Sequence, residues 1–113
     1  MRVIGLATVA VLALVACEDS TGPGAPGHVT VANNFFSPTS TSPDTNGVVT
    51  FQWGSAGVQH TVTWEDAAPG SGLLGTGQYT RDFSAAAPGT YKYRCQVHAT
   101  TFTAGMVGQV VVP

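Results

Sequence analysis

The chain has 113 residues, a net charge of −2, 43% hydrophobic residues and only 9% charged ones. That length leaves room for one small domain, and with so few cations there is no basic stripe, which argues against nucleic acid as a partner. Two cysteines, three histidines and two methionines are the whole stock of thiol, imidazole and thioether groups, so any chemistry here is made from few side chains.

The first residues read as an address. Met1-Arg2 supplies a positive charge, and Val3 to Ala16 is an apolar run interrupted only by Gly5 and Thr8. The run is shorter than the roughly 20 residues that span a bilayer and suits the apolar core of an export signal. It ends in Leu14-Val15-Ala16-Cys17, which resembles the bacterial lipobox, where small residues precede a cysteine that is acylated and becomes the new N-terminus. Residues 1–16 are therefore expected to be a lipoprotein signal peptide and Cys17 the lipidation site. Several acyl chains on one cysteine would hold the protein firmly to a membrane. Residues 17–27 are rich in Gly and Pro, without apolar periodicity, and read as a flexible linker. Its last ten residues would reach roughly 30 Å when extended. The folded domain is expected to be 28–113, standing off a bacterial cell-envelope membrane on its periplasmic or extracellular face. With Cys17 given to lipid, Cys95 is the only thiol, so no disulfide within the domain is expected. A lone thiol in an oxidising compartment calls for an explanation, and metal ligation is one.

From His28 onward the pattern is that of strands. Val29–Ala32, Val48–Trp53, Val58–Trp64, Tyr79–Phe83, Thr90–Gln96 and Met106–Val112 are rich in Val, Thr and aromatics, with Gly, Pro, Asn, Asp and Ser between them. Val49, Phe51 and Trp53 alternate with Thr50 and Gln52. Tyr91, Tyr93 and Cys95 alternate with Lys92 and Arg94. Asn33 to Pro38 and Ala87-Pro88-Gly89 read as turns or strand ends. No segment carries a helical repeat. An all-β antiparallel sandwich of about seven or eight strands is the expected fold.

The strand pattern places the soft groups. His60 falls on the same alternation as Val58, Val62 and Trp64 and is expected to point inward. Cys95 points inward at the end of its strand, His98 lies in the loop that follows, and Met106 opens the last strand. Three groups thus come from one strand–loop–strand hairpin and the fourth from a distant strand, which a sandwich can bring to one pole. One thiolate, two imidazoles and a thioether make the donor set of a trigonal copper site with a weak axial ligand.

The stretch Gly89 to His98, the run Gly105-Met106-Val107-Gly108-Gln109-Val110, the upstream His60-Thr61-Val62 and the early Asn34-Phe35-Phe36-Ser37-Pro38 together resemble the cupredoxins of the plastocyanin and azurin family. The likeness covers nearly the whole domain. It implies a Greek-key sandwich with one copper per domain, in which His60, Cys95 and His98 are equatorial ligands and Met106 is the axial one. Three departures accompany it. Seven residues, Ala99 to Gly105, separate His98 from Met106, where the plastocyanin-type gap is shorter. Thr61 stands where many members carry Asn, which implies a different hydrogen bond between the two ligand loops. Arg94 stands where plant plastocyanins place a tyrosine for remote electron exit, leaving the edge of His98, with Ala99 and Phe102 as apolar neighbours, as the expected electron-exit edge.

Taken singly, each group has a plainer reading. A free cysteine or a methionine packs in a core, an inward histidine is a satisfied core residue, and His98 is a loop residue. Their joint order and spacing favour the metal. His28 abuts the linker and is given no role, while Glu65 and Asp66 read as solvated turn charges. The function expected is one-electron transfer between transient redox-protein partners by a monomeric, lipid-anchored copper protein that is not an enzyme. A copper oxidase or nitrite reductase would need more histidines for a second copper centre, and a binuclear purple site would need two cysteines in one loop. The alternative is a copper-binding module for storage, delivery or sensing, although such modules more often show several methionines. A metal-free adhesion domain is a third reading, which loss of His60, Cys95 or His98 would have signalled.

Overall fold

The computed structural model describes residues 25–54 and 58–113, so the expected signal peptide, Cys17 and the expected linker up to residue 24 lie outside the described residues. The described residues form eight strands: β1 His28–Ala32, β2 Phe35–Ser37, β3 Ser40–Thr41, β4 Val48–Trp53, β5 Thr63–Trp64, β6 Gln78–Asp82, β7 Gly89–Arg94 and β8 Val107–Val112. They make two four-stranded sheets, in the orders β2-β1-β4-β6 and β3-β8-β7-β5. The sandwich is all-β, as the alternation predicts, but its sheets are mixed. β1 runs parallel to β4 and β3 runs parallel to β8, while the other pairs are antiparallel. The chain changes sheet at every step from β2 to β7. A strand that arrives from the other sheet need not alternate direction with its neighbour, so parallel pairs arise.

Five strands match the sequence reading within a residue or two. The expected strand over Val58–Trp64 does not form as a whole; only Thr63 and Trp64 join a ladder. His60, Thr61 and Val62 are all buried, and Val58 is exposed, so strict alternation fails there. The local backbone bonds a loop instead. His60 bridges Leu74 in both directions at 3.0 Å, and Ser71 N–H donates to Val62 O at 3.1 Å. Phe35–Ser37 is a short strand rather than a turn. It folds back on β1 through Asn33-Asn34, with Asn34 in the left-handed region at φ 71°, a conformation asparagine tolerates.

The core is aromatic. Val49, Phe51 and Trp53 of β4 are buried, and Phe51 lies at the centre of a cluster of rings. Its centroid is 5.0 Å from Tyr93, 5.9 Å from Trp64, 5.8 Å from Tyr79 and 6.4 Å from Phe36, in mostly edge-to-face geometry. Such pairs add about 0.5–1.5 kcal/mol beyond area burial. Tyr93 carries this packing up β7 toward Cys95, two residues on. Its phenol ring fills the space over Gly108 of β8, where a Cβ would overlap the ring. That contact explains the glycine in the middle of an otherwise valine-rich strand. Burial raises the Tyr93 phenol far above its ordinary pKa, so it stays protonated.

At the opposite side of the cluster Arg81 lies over Trp64 and Phe83, each 4.5 Å from the guanidinium carbon, and near Tyr91 at 5.3 Å. Its two terminal nitrogens donate to both carboxylate oxygens of Asp66 at 3.2 and 2.8 Å. These hydrogen bonds hold the Asp66 carboxyl below its ordinary pKa. Asp66 is therefore a surface charge paired with arginine, consistent with a turn role rather than ligation. The cation–π stack is worth about 0.5–2 kcal/mol, more than the exposed ion pair, which is worth at most about 1 kcal/mol.

Candidate metal centre

Three segments meet at one pole of the sandwich. Cys95 is the first residue beyond β7 and Met106 is the last before β8, so the two ends of the loop between them are pinned by the β7–β8 ladder. Cys95 N–H donates to Met106 O at 3.0 Å, which closes the hairpin across the loop base. Within the loop His98 N–H donates to Cys95 O at 3.2 Å, turning the chain so that His98 doubles back over Cys95. Gly105 closes the loop at φ 91°, and a Cβ there would sit 2.7 Å from His98 O. The glycine before Met106 is thus required by both backbone conformation and space. His60 arrives from the segment bridged to Leu74.

The donor atoms converge. Cys95 Sγ is 3.8 Å from His60 Nδ1 and 3.6 Å from His98 Nδ1, and one ligand atom from each of the three residues lies within 4.8 Å of the others. A divalent ion held at about 2.3 Å from sulfur and about 2.0 Å from nitrogen in a trigonal plane would place S and N roughly 3.7 Å apart. The observed separations fit such an ion. Cys95 and His60 are fully buried, His98 is half-buried and Met106 is 1% exposed. The soft donor set of thiolate and imidazoles suits copper.

The surroundings orient these groups. His60 Nε2 lies 3.4 Å from Asn33 Oδ1. A carbonyl oxygen can only accept, so Nε2 carries the proton and Nδ1 presents its lone pair toward Sγ. Burial, and to a lesser degree the nearby His98, lowers the His60 pKa, which favours the neutral imidazole that ligation needs. Thr61 N–H donates to Cys95 Sγ at 3.4 Å. The Thr61 hydroxyl accepts from Gln96 N–H at 2.9 Å and pairs with the Thr63 hydroxyl at 2.9 Å. Thr61 therefore ties the two ligand segments together through a hydroxyl, in the position where the resemblance sets an amide.

The edge of His98 opens on a shallow depression lined by Val58, Leu73 and Val97, which are 40%, 54% and 56% exposed. Ala99 is buried. Phe102 lines a different depression, with Lys92, Gly105 and Gln109, and lies beneath the Arg94 guanidinium at 5.2 Å. Sequence reasoning did not reach Asn33, which is 27 residues from His60 and lies in what reads as an ordinary turn. Nor did it reach Leu73, since no local pattern marks a loop residue that packs beside a distant ligand.

No family model matches the chain, and no curated protein matches it by sequence. Solved structures do. A Cu-containing nitrite reductase from Thermus scotoductus SA-01 aligns over 82% of this chain at TM-score 0.61 and 21% identity, covering 25% of the enzyme. The chain thus spans a quarter of that protein's length. The reduced auracyanin of Roseiflexus castenholzii aligns over 81% of this chain and 99% of its own, at TM-score 0.55 and 23% identity. A purple cupredoxin from Nitrosopumilus maritimus aligns over 77% of this chain and 99% of its own, at TM-score 0.60 and 23% identity. At these identities the likeness establishes the fold, which is that of the cupredoxins. Within that fold, His60, Cys95 and His98 fit a single type 1 copper site.

Proposed function

We propose that the protein is a one-electron carrier with a mononuclear type 1 copper centre, held at the bacterial cell envelope by lipid on Cys17. The observation that carries this reading is the convergence of Cys95 Sγ with the two Nδ1 atoms at a buried pole. When bound there, copper would cycle between Cu(II) and Cu(I) and so accept and release one electron. Cys95 supplies the thiolate, whose electron donation is moderated by the Thr61 N–H. His60, anchored by Asn33, and His98 would supply the imidazoles, and Met106, buried just before β8, would offer a thioether. Because the β7–β8 ladder and Thr61 fix the donors in advance, little rearrangement would accompany a change of oxidation state.

The half-buried edge of His98, with its apolar rim of Val58, Leu73 and Val97, is the route for electrons to and from a transient redox partner. Storage or delivery of copper would require the ion itself to leave. The full burial of His60 and Cys95 favours passage of electrons over passage of the ion. Beyond the site only His28 remains among the chain's three histidines, which is too few for a second copper centre and supports a carrier rather than an enzyme.

Met106→Leu tests the axial assignment. Leu and Met have similar volumes, and such exchanges in cores usually cost less than about 1.5 kcal/mol. The variant should stay folded and blue while its reduction potential rises, since loss of a donor disfavours Cu(II). An unchanged potential in a redox titration would remove Met106 from the ligand set. For the anchor, Cys17→Ala should shift the protein from the membrane fraction to the soluble fraction of cells. Unaltered membrane association would mean that something other than lipid on Cys17 holds it.

A further inference from the structure

The long loop between His98 and Met106 needs an explanation of its own. Within residues 99–104 the described hydrogen bonds formed by the loop's own side chains are local ones, in which the Thr101 hydroxyl pairs with the Thr103 hydroxyl and accepts from Thr103 N–H, each at 3.3 Å. The Met106 N–H to His98 O bond that closes the loop is long at 3.4 Å. One side chain reaches in from the sheet. Arg94, the last residue of β7, points away from the core. Its Nη1 donates to Ala99 O at 2.5 Å, and its guanidinium lies over the Phe102 ring at 5.2 Å. Arg94 Nε is buried and has no hydrogen-bond partner among the described residues. A guanidinium held with one nitrogen unsatisfied is fixed by its other contacts, and a hydrogen bond from a charged donor is among the stronger ones.

From these contacts we infer that Arg94 is a positioning residue for the copper ligands. It clamps the segment immediately after His98 by gripping Ala99 O and covering Phe102. It thereby fixes where His98 and Met106 stand relative to Cys95. The backbone of Arg94 is one peptide from Cys95 and its side chain grips the residue after His98, so one residue couples two ligands from outside the site. The planar fork is what permits this. It can donate at its edge and stack on a ring with its face at the same time, whereas a lysine ammonium cannot do both.

This inference rests on the copper reading, but its first test does not need the metal. In the metal-free full chain, Arg94→Met should speed amide hydrogen exchange in residues 99–105 about tenfold or more, while exchange in β4 and β8 stays as in the parent. Arg94→Lys should behave like Arg94→Met rather than like the parent. Phe102→Leu should speed exchange in the same segment, and combining it with Arg94→Met should give less than the product of the two separate effects, because the two side chains act as one contact. With copper bound, Arg94→Met should lose the metal to a chelator about tenfold faster and change the ratio of the two thiolate charge-transfer bands. A fold defect alone would not move that ratio. Unaltered exchange in residues 99–105, full rescue by lysine or strictly multiplicative effects would each overturn the clamp. A parent protein that binds no copper would leave the exchange result standing as a loop clamp and would remove the copper reading instead.

Discussion

Copper-loaded Cys95→Ser is expected to be colourless. The intense colour of a trigonal thiolate site comes from charge transfer out of the sulfur, and Cys95 is the one thiol among the described residues. A serine hydroxyl occupies nearly the same volume and can accept the Thr61 N–H in place of Sγ, so the sandwich should persist. It cannot become an anion at neutral pH and is a poor ligand for a soft ion. Loss of supporting contacts around a metal typically costs 10–100-fold in affinity, and loss of a direct ligand should cost more than about 100-fold on that scale. The measurement is a copper titration followed by optical absorption, with a thermal melt of the metal-free variant as the control for folding. A variant that still turns blue would show that Cys95 is not the sulfur donor.

Phe51→Ala should give the largest loss of stability of any single truncation in the domain. Phe51 is fully buried and touches four other rings drawn from both sheets. Truncating a buried phenylalanine costs about 3–5 kcal/mol through lost transfer energy and the cavity left behind. Single domains carry about 5–15 kcal/mol in total. The variant should therefore lose a fifth or more of its stability, and for a domain of this size its melting temperature should fall by roughly 12–40 °C. Denaturant unfolding of the metal-free protein measures it. A loss below about 1 kcal/mol would mean that this ring cluster does not hold the two sheets together. The site should suffer with the core, because Tyr93 packs on Phe51 and sits two residues before Cys95.

Much of this architecture is legible in the sequence, and the exceptions have physical causes. β1, β4, β7 and β8 bury residues on one face, and β6 half-buries Tyr79 and Arg81 on one face, so their alternation is visible. β2 and β3 have three and two residues, too few for a period to show. The His60 segment misleads because three consecutive residues are buried there. Strict alternation assumes that one side meets water, yet this stretch lies between the ligand loop on one side and the 71–74 loop on the other, and both sides are covered. The parallel pairs β1–β4 and β3–β8 are invisible locally, since they follow from where the chain changes sheet.

The grouping of His60, Cys95 and His98 is readable in the sequence because Cys95 and His98 are three residues apart and His60-Thr61-Val62 is a recognisable companion. The residues that steady it are not. Asn33 is brought to His60 by the β1–β2 hairpin, and nothing in the sequence around it announces that role. Thr61 was expected to alter the bond between the two ligand segments. The structure shows how: its hydroxyl accepts from Gln96 N–H while its own N–H reaches the sulfur. Arg94 looked like the loss of an aromatic exit. In the folded chain it grips the loop that carries His98.

The most direct test of the central claim is the optical and paramagnetic-resonance spectrum of the parent domain after addition of one equivalent of Cu(II). The convergence of Cys95 Sγ with His60 Nδ1 and His98 Nδ1 predicts an intense thiolate-to-copper absorption with narrow hyperfine splitting at one copper per chain. A colourless protein, or a spectrum of ordinary tetragonal copper, would contradict it.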